Sequence, residues 1–201
     1  MTSQPLQLLI LRDPKTYPLV HQQMKHQVAQ HHQDTVWFLQ HLPIVTVGVR
    51  TPPSDVVRSS TPILTTDRGG LATYHAPGQW VGYVMMNLQQ RQMSIIDLVH
   101  RIEQYLIVCL HQMNIDAHLI PHDRGVYVHN RKIASVGLRA KKHISYHGFS
   151  LNTDMDLAPF NNILPCGQAR DMTSISVEQP KFDCTLVPAI LCKHIQHLVS
   201  A

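Results

Sequence analysis

Cys166, set in Leu164-Pro165-Cys166-Gly167, and Lys132, which opens the run Lys132-Ile133-Ala134-Ser135-Val136-Gly137-Leu138-Arg139, are the two side chains best suited to covalent chemistry. A thiol attacks a carbonyl carbon as the thiolate, and a neighbouring ammonium is one of the few groups that stabilise that form near neutral pH. Brought together, the pair would make an acyl-transfer centre that works through a thioester. Strand alternation would set Lys132, Ala134, Val136 and Leu138 on one face. A lysine closing an apolar row is partly desolvated, which lowers its pKa and lets it trade protons near neutrality. Each residue also has a plainer reading: a snorkelling lysine at a strand edge, and a loop cysteine buried as a small apolar group. A Cys/His pair with His75 or His147 as base is the other nucleophilic option, but no local signature of the cysteine proteases surrounds Cys166.

The segment Asp67-Arg68-Gly69-Gly70-Leu71-Ala72-Thr73-Tyr74-His75-Ala76-Pro77-Gly78 is the second candidate. Paired glycines let a backbone approach a ligand, with hydroxyl and imidazole groups beside it; the alternative is a structural turn. The Gly-Lys-Ser/Thr ending of a phosphate-binding loop is missing, which argues against a nucleotide phosphate here. The densest basic cluster is Arg139, Lys141, Lys142 and His143. It reads either as a solvated strand end or as a patch that steers an acidic partner. No aromatic platform interleaves the charges, which argues against nucleic acid.

The elements that must hold these residues follow from periodicity. Strands are expected at 6–11, 35–41, 44–49, 62–66, 79–88, 117–120, 125–129, 132–140 and 143–152, with Leu42-Pro43 turning the second into the third. Asn130-Arg131 closes a tight hairpin into Lys132. Thr16 should cap a helix to about residue 31, with Pro18 in its first turn. Ser94 and Asp97 resemble a capping box opening a helix to about residue 113, whose apolar residues recur at helical spacing. Thr185 should cap a last helix carrying Val187, Ile190, Leu191, Ile195 and Leu198 on one face. Strands dominate and helices do not alternate with them, which predicts an α+β fold on a mixed β-sheet with flanking helices.

Bulk composition is consistent with this. The 201 residues form one continuous domain on this reading, with no repeat or low-complexity linker. An apolar content of 44% against 15% charged residues is ordinary for a globular chain. No apolar stretch reaches membrane-spanning length and the start lacks a signal-peptide pattern, so the expected location is cytoplasmic. Cys109, Cys166, Cys184 and Cys192 form no C-x-x-C pair, and fifteen histidines come without a metal-binding motif.

Taken together these segments resemble the lipoyl(octanoyl) transferase family. The resemblance rests on Arg68-Gly69-Gly70-Leu71-Ala72-Thr73-Tyr74-His75 followed by Pro77-Gly78-Gln79 and Val81-Gly82-Tyr83, on Lys132 to Gly137, on Tyr146-His147-Gly148-Phe149-Ser150-Leu151-Asn152, and on Pro165-Cys166-Gly167 with Thr173-Ser174. It covers residues 35–176. It implies the fold of lipoate and biotin protein ligases. It also implies octanoyl transfer from acyl carrier protein, through a Cys166 thioester, to a lysine of lipoyl domains of 2-oxoacid dehydrogenase complexes or of glycine-cleavage H protein. Lys132 would tune the thiol; Arg68, Gly69, Gly70, Leu71, Ala72, Thr73, Tyr74, His75, Ser135, Val136, Gly137, Gly148, Phe149 and Ser150 would line the acyl pocket. No metal or nucleotide cofactor is implied, nor any nucleic-acid or membrane partner. The rivals are an ATP-dependent lipoate ligase on the same fold and a non-catalytic module that binds acyl carrier or lipoyl domains. Two departures stand out. Ala76 replaces the family's usual glycine, at a cost of about 1 kcal/mol if φ there is positive, and Phe149-Ser150 replaces Leu-Ala, which bears on pocket shape.

Overall fold

A computed structural model describes residues 6–30, 32–52, 60–163 and 171–199. A seven-stranded mixed sheet runs in the order β1 (Gln7–Ile10), β2 (Thr35–Leu39), β6 (Gln79–Met85), β10 (Ile144–Asn152), β9 (Arg131–Lys141), β8 (Asp123–Val128), β7 (His118–Ile120). Among the described strands of this sheet, β1 and β2 are the one parallel pair. Helix α1 (Tyr17–Ala29) covers one face through Val20, Met24 and Val28, against Trp37, Leu39, Val81, Tyr83, Met85, Ile144 and Tyr146. Helix α2 (Ile95–Gln112) covers the other through Leu98, Ile102, Leu106 and Leu110, against Val36, Phe38, Val84, Val126, Phe149 and Leu151. The α+β expectation holds.

A second, three-stranded sheet is the main correction. β3 (Ile44–Val47) lies between β4 (Ile63–Thr65) and β5 (Thr73–His75) and does not pair with β2. Leu42-Pro43 therefore carries the chain from one sheet to the other rather than around a hairpin. β5 sits inside the glycine-rich segment, too short to stand out by alternation. Its Tyr74 packs on Phe160 in a third apolar cluster with Val45, Ala72, Ala76, Met155 and Ile163.

Local signals explain most boundaries. Ser94 Oγ accepts from the Asp97 amide while Asp97 accepts from the Ser94 amide, a closed capping box at the start of α2. Thr16 precedes α1 with extended backbone but makes no side-chain cap bond. At the other end, Thr185 is not the cap: Asp183 accepts from both the amide and the hydroxyl of Thr185. The expected last helix is split into a 3-10 turn (Cys184–Leu186), α4 (Val187–Lys193) and a second 3-10 turn (Ile195–Leu198). A further 3-10 turn (Ala158–Asn162) and the short α3 (Ile175–Glu178) lie between β10 and the C-terminal helical turns. Ala76 is buried and its φ is not positive, so the cost attached to a glycine-only conformation does not arise.

Candidate active site

Lys132 owes its position to a β-bulge. Val126 pairs with Ala134 and Tyr127 with Lys132, so Ile133 is an extra residue on β9. Both Ile133 and Ala134 enter the core beneath α2. The bulge resets the alternation, and Lys132 joins Ser135 and Gly137 on the opposite face, where all three line a cavity. The expected grouping of Lys132 with Ala134, Val136 and Leu138 fails for this reason. Gly125 is the bulge's counterpart: with φ +122, a Cβ there would sit 2.5 Å from the Ala134 carbonyl and 3.3 Å from Lys132 Cε. Only glycine leaves the lysine stem its channel.

The Lys132 ammonium donates to Arg124 O at 2.9 Å and Asp123 Oδ1 at 3.3 Å, and lies 5.1 Å from the Tyr127 ring centre. Its side chain is 14% exposed. Burial pushes it down to about 8, against the pull of the Glu103 carboxylate. The Lys132 backbone is clamped to the chain that follows the cysteine segment in sequence: its amide donates to Asp171 O, and its carbonyl accepts from the Thr173 amide, each at 2.9 Å. Asn152 holds that chain as well, donating to Thr173 O, and Gln79 donates to Asn152 Oδ1. Cys166, with Pro165 and Gly167, lies outside the described residues. Of the other thiols, burial pushes Cys109 up to about 12 and raises Cys184 and Cys192, which leaves all three poor nucleophiles.

The cavity has a volume of about 480 Å³. Register explains its floor. Gly148 pairs with Gly137 and Tyr83, and Ser150 with Ser135 and Val81, so small residues on β9 and β10 face one side together. The sheet is close-packed there: a Cβ at Gly148 would lie 2.0 Å from Gly82 O, and one at Gly82 would lie 2.3 Å from the Phe149 ring. The glycine loop crosses above, with Gly69 O against Gly137. Of the residues singled out in sequence, Arg68, Gly70, Leu71, Ala72, Thr73, His75, Ser135, Val136, Gly137, Gly148, Phe149 and Ser150 line the cavity; Gly69 and Tyr74 do not. Tyr74 points away because Thr73 and His75 occupy the other face of β5.

One part of the wall is polar. Arg68 is buried, donates to Thr46 Oγ1, Thr46 O and Gly69 O, and has no carboxylate partner among the described residues. Burial lowers it to about 10, against the pull of the Tyr17 and Tyr83 oxygens. His75 is pushed down to about 3 by burial, with His41 and Arg68 acting in the same direction. His41, its Nδ1 committed to Lys15 O at 3.0 Å, meets the Tyr83 hydroxyl at 2.8 Å; burial lowers it to about 4.

Asp67, unremarked in the sequence beyond its place in the loop, is a hub. Its Oδ1 meets His147 Nε2 at 3.0 Å and His21 Nε2 at 3.1 Å, and its Oδ2 meets Lys25 at 3.3 Å and the Tyr146 hydroxyl at 3.1 Å. Burial opposes its ionisation, but the bonds from His147, His21 and Lys25 outweigh that and hold the carboxyl below its usual range. His147, Asp67 and His21 could offer three atoms to a metal ion. Lys25 on the same carboxylate and Arg139 on the Asp67 carbonyl crowd that position with positive charge, so the set reads as a carboxylate-centred clamp. The rest of the basic cluster sits at the β9–β10 hairpin tip, with Lys142 and His143 in left-handed conformations. At about 3.3 Å per residue, that tip is about 30 Å from Lys132 along the strand.

The fold is that of the catalytic domain shared by lipoate and biotin protein ligases. A putative lipoate protein ligase of T. acidophilum with bound lipoic acid superposes with a TM-score of 0.77 at 16% identity, covering 96% of this chain and 85% of that one. The biotin protein ligase of Aquifex aeolicus gives 0.53 at 12%, covering 96% and 68%. Over residues 17–196 the chain matches the lipoyl protein ligase A/B catalytic domain family, and it belongs to that family. Its sequence relatives include the octanoyltransferase of Laribacter hongkongensis, 46% identical over 150 residues and 72% of each chain, and that of Legionella pneumophila, 42% identical over 171 residues, 83% of this chain and 86% of the relative. Among the described residues no helix is long and apolar enough to cross a membrane.

Proposed function

We propose that the protein is a cytoplasmic octanoyltransferase of lipoate biosynthesis. It takes octanoyl from acyl carrier protein and delivers it to a lysine of lipoyl domains, those of 2-oxoacid dehydrogenase complexes or of glycine-cleavage H protein. Cys166 thiolate attacks the donor thioester; the carrier thiolate leaves and takes a proton from Lys132. The acceptor amine then attacks the Cys166 thioester, the C–S bond breaks as the amide forms, and neutral Lys132 takes the surplus proton. The regenerated thiolate is stabilised by the ammonium just formed. Both acyl transfers are close to isoenergetic exchanges or downhill, so neither nucleotide nor metal is needed.

The observation that carries this reading is Lys132 itself: a desolvated ammonium held near neutrality at a cavity lined by small and apolar residues. Its two backbone bonds to Asp171 and Thr173, just downstream of Cys166 in sequence, support the pairing. The kinship with octanoyltransferases supports the substrate. Incubation with octanoyl-acyl carrier protein and no ATP, followed by intact-mass measurement and peptide mapping, should give one hydroxylamine-labile octanoyl group on Cys166, absent in Cys166→Ala. Label on Cys109, Cys184 or Cys192 would reject the assignment.

A further inference from the structure

Glu103 is the one charged side chain among the buried residues of α2, and the chemistry above does not use it. A carboxylate facing a core is costly unless bonds compensate it. Here they come largely from one segment of β8. Glu103 Oε1 accepts from the Gly125 amide at 3.0 Å. Its Oε2 faces the Arg124 guanidinium at 3.6 Å and His100 Nδ1 at 3.5 Å, both on half-exposed side chains where pairing is weak.

The bond to Gly125 reaches Lys132 through a single peptide group. The Arg124 C=O and the Gly125 N–H belong to one planar trans unit and point in opposite directions. The N–H donates to Glu103, and the C=O accepts from Lys132 Nζ at 2.9 Å. Carboxylate, peptide and ammonium thus form a chain in which each bond polarises the next. With only a peptide bond between them, the two charges lie within roughly 8 Å of each other, close enough in a buried setting to escape most screening by salt. Gly125, with φ +122, turns that peptide out of ordinary strand geometry. The unit therefore links the two faces of the sheet, with Glu103 on the α2 side and the Lys132 head at the cavity.

We propose that Glu103 is a positioning residue: through the Arg124–Gly125 peptide its carboxylate orients the Lys132 ammonium at the acyl-transfer centre and opposes loss of its proton. The proposal rests on the octanoyl-transfer reading above and deepens it. A turn anchor would need only an acceptor oxygen, which a neutral amide also supplies; the charge is what acts on the lysine. In accord with this, Glu103 is the group whose pull works against the burial of Lys132. The other ionisable groups around the pair are Asp123 and Tyr127 on β8, His122 on the cavity wall, Arg124 and His100 at the outer carboxylate oxygen, and Asp171, which meets Lys132 through its backbone. All of them stay in place in the variant that tests the idea.

Glu103→Gln keeps an oxygen for the Gly125 amide and removes the charge. Single-turnover acylation of the full chain by octanoyl-acyl carrier protein, read as intact mass across pH, should fall in the wild type as Lys132 loses its proton near 8. In Glu103→Gln that falling limb should move down by about half a pH unit or more, so that the variant loses severalfold more activity at pH 8.5 than at pH 6.5. A limb that stays in place, or a loss of the same factor at every pH, overturns the proposal. If Glu103→Gln does not fold, the coupling is read from the lysine's side. Glu103 and Glu178 are the chain's two glutamates, so carboxyl-13C labelling of glutamate gives two signals. The Glu103 carbon should step at the Lys132 midpoint in the wild type and lose that step in Lys132→Met; the same curve in both proteins overturns the proposal. A wild type that takes no octanoyl at any pH overturns the transferase reading and the purpose assigned to Glu103 with it. The carbon titration needs no substrate, which keeps that failure apart from a failure of the coupling itself.

Discussion

At the scale of single residues the proposed chemistry turns on one unfavourable burial. Lys132 lies almost out of solvent beside Asp123, the Arg124 carbonyl and the Tyr127 ring, and burial outweighs these and the pull of Glu103, so folding disfavours its proton. Between about 8 and the unfolded value near 10.5 the unfolded chain binds more protons than the native one, and stability must rise with pH across that window. Lys132→Met should therefore be more stable than the wild type at pH 7, on the order of 1–2 kcal/mol or a few degrees in Tm. The difference should shrink toward pH 10, while acyl transfer falls by orders of magnitude. Thermal unfolding at both pH values checks this; a variant less stable at pH 7 would mean that the ammonium is well compensated where it lies. The lysine's identity was legible in the sequence from its apolar company. Its face was not, because alternation cannot reveal a bulge whose cause, Gly125, sits on another strand.

The elements show the same division. Strands β6, β9 and β10 and helix α2 are readable from periodicity and capping, since each has one face on a large core. Of the small sheet, β3 and β4 were expected as strands; β5, three residues inside a glycine-rich segment, and the pairing of all three apart from the main sheet were not, because that order is set by neighbours distant in sequence. The close packing of β6 on β10 was equally hidden: Gly82 lacks a side chain because the Phe149 ring fills its place. Gly82→Ala should cost about 1–3 kcal/mol by overpacking. In a Phe149→Ala background the same change should cost less than half as much, a coupling measurable by urea unfolding of the four chains. Equal costs in both backgrounds would show that the backbone, not the ring, resists the methyl. Asp67 belongs to this scale too, since it ties α1, the glycine loop and the β9–β10 hairpin together. Its role was invisible in sequence because its partners His21 and Lys25 on α1 and Tyr146 and His147 on β10 come from two segments far from it in the chain.

Across the whole molecule, three buried histidines set the acid limit of the fold. His41 and His147 are held near 4 and His75 near 3, each chiefly by burial. Below about 6.5 the unfolded chain takes up protons that the native chain refuses, so stability falls as pH drops from 6.5 toward 4. Urea midpoints at pH 7, 6 and 5 should fall progressively, and a flat profile would place these rings in contact with solvent. The same burial keeps the wall beside the cavity neutral except at Arg68, which suits a site for an uncharged acyl chain. The site's two halves were unequally legible: the motifs carrying Arg68 to His75, Val81 to Tyr83, Lys132 and Gly148 to Ser150 mark themselves by type and order, whereas Tyr17, which lines the cavity, and Thr46, which holds Arg68, are ordinary residues placed there by packing.

The account depends most on Lys132 acting on Cys166, and the pH dependence of Cys166 alkylation tests it directly. Iodoacetamide labelling followed by peptide mapping should give a wild-type midpoint below the usual thiol value of about 8.5, and Lys132→Met should move it upward by about one pH unit or more. Superimposable curves for the two proteins would contradict the pairing.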